Sequence, residues 1–142
     1  MAVAVAAGLP ARTQRLRELA RQASLDNLRA VHKAVADFER DLGKVPATLG
    51  EAIEKGYLDR AGLPGSGPEL PYIYDPSTLA PAKDKTQKIL LCEHLPRGEG
   101  RAIAYASRNT RVEWVSDDRF RQLLALKENA ALAERLAAAD EH

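Results

Sequence analysis

Cysteine, aromatic rings, net charge and long apolar runs are all scarce in this 142-residue chain, and each scarcity removes a class of function. The single cysteine, Cys92, has no partner for an internal disulfide and excludes a metal site built from thiolates alone. One Trp, two Phe and four Tyr give little surface on which nucleobases could stack. With 21 basic and 20 acidic side chains the formal charge is +1, so no global field points to nucleic acid or to an acidic partner. No stretch reaches the ~20 apolar residues of a membrane span. The opening MAVAVAAGLP offers small apolar residues from Ala2 to Leu9, without the basic residues that precede a secretory signal's apolar run. Residues 1–10 read as a flexible tail or as the stump of a longer apolar segment. The length suits one domain that buries roughly 68–70% of its unfolded surface.

What the chain does have is helical periodicity. From Ala11 to Leu42, apolar residues at Leu16, Leu19, Ala23, Leu28, Val31, Val35, Phe38 and Leu42 keep to one side of a helix. Such a helix spans about 48 Å, longer than a domain of this size needs. Its first turns carry Arg12, Arg15, Arg17 and Arg21 against Glu18, and its apolar positions become bulky from Leu28 onward. The second half is therefore expected in the core, with Leu28, Val31, Val35, Phe38 and Leu42 buried, and the first half is expected to project.

At DLGKVPATLGEAIEKGYL (41–58) the periodicity stops and restarts. Gly43 can close a helix in the left-handed conformation, and Pro46 forbids simple continuation. Thr48 then caps a short helix over 49–55, with Glu51 completing a capping box. The segment AGLPGSGPELPYIYDPSTLAPAKDKTQ holds five of the eight prolines, so it reads as ordered loop around one extended piece, Tyr72 to Tyr74. KILLCEH (88–94), AIAYA (102–106) and RVEWV (111–115) read as a three-stranded meander, the last two strands joined by the four-residue connection SRNT. Ser116 caps a closing helix with Asp117 and Asp118 in its first turn. The fold class is α+β.

Few residues suggest chemistry. Cys92, Glu93 and His94 are adjacent, and alternation along a strand puts Cys92 and His94 on one face. Neither an oxyanion donor pair nor an oriented base accompanies them, so Cys92 is expected as a buried strand cysteine. His32 has Asp26, Arg29 and Asp37 within two turns, too few ligands for a metal site, and is expected as a solvated side chain on the outer face. Arg12, Arg15, Arg17 and Arg21 read as a solvated helix end, or as a phosphate contact if a membrane segment precedes them. GLPGSG (62–67) lacks the Lys and Ser/Thr of a phosphate-binding loop. No catalytic, cofactor-binding or metal residue is expected.

Three stretches together resemble the type IV pilin and type II secretion pseudopilin superfamily. LPARTQRLRELARQASLDNLRAVHKAVADFERDLGKVP is similar to the region following the membrane span in those proteins, and TLGEAIEKGYL to the short capped helix placed next. AIAYASRNTRVEWVSDDRFRQLL looks like the terminal hairpin of a bacterial group, with Ser107 to Thr110 where that group has an Asp-Gly turn. The resemblance implies a pilin-like fold: a spine helix (11–42) packed on a small antiparallel sheet, and a head (43–142) outside the cytoplasm, in the periplasm or extracellular space. It implies a non-catalytic structural role and self-association or contact with other pilin-like subunits. It also implies attachment to the inner membrane through a segment not present here. No nucleic acid or cofactor is expected. The alternative is a soluble binding or adaptor module that dimerises through its C-terminal helix.

Overall fold

Helix α1 runs from Ala11 to Leu42, the bounds that the periodicity predicts. The computed structural model describes residues 11–61, 63–64 and 70–140, so the opening ten residues and most of GLPGSG lie outside the described residues. Gly43, at φ +79°, closes α1 with its amide on the Glu39 carbonyl at 2.8 Å. Helix α2 (Leu49–Glu54) follows, with the Thr48 hydroxyl accepting from the Glu51 amide at 3.1 Å. The Glu51 carboxylate reaches back to the Ala47 amide at 3.4 Å, one residue beyond the usual capping-box partner, the Thr48 amide. The Tyr74 hydroxyl donates to the Pro46 carbonyl at 2.7 Å, which pins the break between the helices to the sheet.

The sheet has four strands, one more than the sequence suggests. Strands β1 (Tyr72–Tyr74), β2 (Ile89–Glu93), β3 (Gly100–Tyr105) and β4 (Val112–Ser116) pair antiparallel in chain order. Tyr72 to Tyr74 are thus a sheet strand and not an isolated extended piece. The four residues between Pro71 and Pro76 carry too little alternation to show this, whereas pairing with Leu91 to Glu93 supplies it.

Both faces of the sheet are covered. Ala102 and Ala104 lie under α1, where their small size lets the helix approach, together with Leu28, Val31, Val35, Phe38 and Leu90. Ile103, Tyr105, Ile89 and Cys92 face the other way, against Phe120, Leu123, Leu132 and Leu136. An irregularity in β2 between Ile89 and Leu91 lets Leu90 and Leu91 join the same core. Gly100 permits a further close approach, because a Cβ there would collide with the Val115 carbonyl and the Trp114 indole.

Two expectations are corrected here. Leu42 is 45% exposed, and Phe38 is the last fully buried position of α1. The closing helix is broken into α3 (Asp117–Leu124), a 3-10 turn (Lys127–Asn129) and α4 (Ala130–Asp140). Asn129 explains the break. It is fully buried and its side chain bonds the backbone of β2, so the chain must turn to deliver it.

Candidate functional site

Cys92 lies inside the core under α3 and α4, and burial pushes its thiol pKa up to about 12. A thiol so placed is neutral and unreactive at pH 7. Glu93 is committed to structure, its carboxylate accepting from the Ala102 amide at 2.8 Å and from Arg97 Nε at 3.2 Å. His94 lies past the end of β2 and meets Asp140 at 2.9 Å. The three neighbours in sequence thus point to three separate partners. Among the described residues no group of three or more His, Cys, Asp or Glu could hold a metal ion.

His32 is not on the outer face. It is fully buried, with Nε2 3.1 Å from the Tyr105 carbonyl. The carbonyl accepts, so Nε2 carries the proton, while Nδ1 is buried with no partner among the described residues. Burial pushes the imidazole pKa below its ordinary value, and the nearby backbone of Tyr105 and Ser107 opposes this. Asp26 and Asp37 stay on the exposed side of α1, paired with Arg29 and with Lys33 and Arg40.

Asn129 and Arg101 are among the other buried polar residues that escaped the sequence reading. Asn129 Oδ1 accepts from the Ile89 amide at 2.8 Å, and Nδ2 donates to the carbonyls of Gln87 at 3.0 Å and Leu123 at 2.9 Å. Arg101 donates to the carbonyls of Glu93 and His94 at 3.1 and 2.9 Å and stacks 4.1 Å from the centre of Phe120. Each side chain satisfies backbone groups that a strand or helix end leaves open. The only cue in the sequence was a polar residue interrupting the apolar spacing of the last helix.

The surface with unmet potential is the first half of α1. Ser24 is the first buried position, and Leu16 and Leu19 are each 59% exposed. Where α1 passes the end of the sheet, Arg17, Ala20 and Arg21 face Arg97, Gly98, Glu99 and Trp114 across a groove of about 560 Å³. The Arg21 guanidinium lies over the Trp114 ring at 4.9 Å. Leu95, in the connection between β2 and β3, is 66% exposed.

No protein-family model, curated protein or solved structure matches this chain.

The site must therefore be judged on its own geometry. A second cavity, about 270 Å³ between α2, Tyr72, Tyr74 and Arg135, is at the small end for a ligand pocket. Its one cation, Arg135, already donates to the Tyr74 carbonyl at 3.3 Å. Among the described residues no helix is long and apolar enough to cross a membrane. The bare end of α1, with its exposed leucines, its arginines and the groove beside them, is the candidate functional surface.

Proposed function

We propose that this chain is the spine and head of a pilin-like or pseudopilin-like subunit, a structural and assembly protein without catalysis. In this reading a membrane segment ahead of Ala2 tethers the subunit, and the head lies outside the cytoplasm. One observation carries the reading: α1 is a continuous helix buried from Ser24 onward and bare before it. Residues 11–23 extend about 20 Å. Ordering a residue costs about 1–2 kcal/mol of backbone entropy, and these residues gain almost no burial within the chain. A neighbour that covers them would offset that cost. Leu16, Leu19, Ala20 and Ala23 supply a thin apolar seam, flanked by arginines that repel their copies on an adjacent spine. A preceding apolar helix would strengthen the seam.

The adaptor reading has less support. Leu132 and Leu136 of α4 are consumed by the head's own core, which leaves mainly alanines facing outward. Cross-linking separates the two readings. With a ~20-residue apolar helix placed ahead of Ala2, chains carrying Leu16→Cys should form disulfide-linked dimers in membranes when an oxidant is added. The buried Cys92 will not compete. Chains carrying Ala137→Cys should not form such dimers. Dimers from Ala137→Cys and none from Leu16→Cys would favour the adaptor.

A further inference from the structure

We infer that the end of the molecule from which α1 projects seats end-on in the headgroup layer of an anionic phospholipid bilayer. This deepens the proposed function, sharing its expectation of a membrane ahead of α1 while requiring no assembly of subunits.

The register of α1 on the sheet fixes which parts share that end. His32 meets Tyr105 and Glu39 meets Arg108, while Arg17 and Arg21 lie beside residues 97–99 and Trp114. The helix therefore runs alongside β3, and the β2–β3 connection with its exposed Leu95 sits at the projecting end. The arginines are arranged around the helix and not along one side. At ~100° per residue, Arg17 and Arg21 fall on the sheet side, in line with Leu28, and Arg12 and Arg15 fall on the far side. The groove lining confirms the first pair.

That distribution discriminates between possible anionic partners. A helix lying flat in an interface places its cations on the polar face, opposite an apolar one. A helix on a nucleic acid backbone presents one basic side. Cations on two opposite sides suit a helix that stands within a layer of negative charge. Arg12 to Arg21 covers about 14 Å of helix, enough to cross the headgroup region. Arg12, Arg15 and Arg17 have no charge partner among the described residues, so their potential is unspent. Leu95, Leu16 and Leu19 add exposed apolar contacts, and Trp114 supplies the indole favoured at membrane interfaces. Ahead of them the sequence runs from Ala2 to Leu9 through small apolar residues alone.

The test uses the chain as it stands, with vesicles of phosphatidylcholine containing about 30% phosphatidylglycerol and vesicles of phosphatidylcholine only. Binding should require the anionic lipid and weaken with salt. Each exposed arginine near an anionic surface contributes about fivefold to the partition coefficient. Arg12→Gln, Arg15→Gln, Arg17→Gln and Arg21→Gln together should therefore lower it by a hundredfold or more. Far-ultraviolet circular dichroism should be unchanged, since all four side chains are exposed. Trp114 is the only tryptophan, so its fluorescence reports the seat directly. It should be quenched by a spin label placed on the lipid headgroup. Equal binding to neutral vesicles, or none to anionic ones, would overturn the inference. So would binding that leaves Trp114 unquenched, displacement by millimolar inorganic phosphate, or preference for a DNA duplex over the vesicles at the same salt. None of these readouts depends on assembly, so their failure would leave the pilin-like reading to the cross-linking test.

Discussion

Acidification should weaken this fold through His32, and the sign follows from its surroundings. The imidazole is fully buried between α1 and β3, donates from Nε2 to the Tyr105 carbonyl, and has no partner for Nδ1 among the described residues. Protonation would put a second donor, and a charge, where nothing accepts it. Burial accordingly pushes the folded-state pKa below its ordinary value. In the unfolded chain a histidine titrates near ~6.5. Above that pH both states are neutral and His32 contributes no pH dependence. As pH falls through it, the unfolded chain takes up a proton that the folded protein resists, and stability declines. One proton sets a maximum slope of about 1.4 kcal/mol per pH unit, which persists until the folded-state pKa is reached. Urea unfolding at half-unit steps from pH 7.5 to 5.0 would measure this, comparing the wild type with His32→Gln. Glutamine keeps a donor for Tyr105 without titrating, so subtracting the two curves cancels the carboxylates. The difference should be flat above pH 7 and fall against the wild type below about pH 6.5. A difference that stays flat to pH 5.0, or favours the wild type in acid, would refute the reasoning.

Three further substitutions test separate parts of the fold. Asn129→Ala leaves the Ile89 amide and the Gln87 and Leu123 carbonyls without their partner, so it should cost about 3 kcal/mol or more in chemical denaturation, from ~1–3 for each orphaned group. A loss under ~0.5 kcal/mol, the range of ordinary surface changes, would mean that the clamp is dispensable. Thr48→Ala should cost about 1 kcal/mol through the lost cap, and Pro46→Ala less, because Gly43 already ends α1 and alanine keeps the carbonyl that Tyr74 binds. Cys92 should resist alkylation in the folded protein at pH 7, and Cys92→Ser should cost at most ~1–2 kcal/mol; rapid modification would expose an accessible thiolate that the burial excludes.

The features legible in the sequence were the ones that local physics decides. Periodicity gave the bounds of α1, and Gly43, Thr48 and Ser116 marked helix ends because their capping bonds reach only a few residues. The shift from small to bulky apolar residues foretold the exposure of Leu16 and Leu19. His32, Asn129 and Arg101 were not legible, because their partners lie on distant strands or strand ends. His32 follows Val31 and precedes Val35 by three, so it borders the covered face. Only the position of the Tyr105 carbonyl decides that it turns inward. Leu42 failed for the converse reason: its spacing fits the covered stripe, but full burial along α1 stops at Phe38. The bare helix end could be anticipated from composition, whereas the groove pairing Arg21 with Trp114 needed the fold.

The central claim is that the projecting half of α1 is an assembly element that needs an apolar segment ahead of it. Light scattering at micromolar concentration tests this directly, on the chain as it stands and with a membrane helix added before Ala2 in detergent. The account predicts a monomer or weak dimer for the first and ordered higher assembly for the second. Filaments or a tight high-order oligomer from the chain by itself would contradict it.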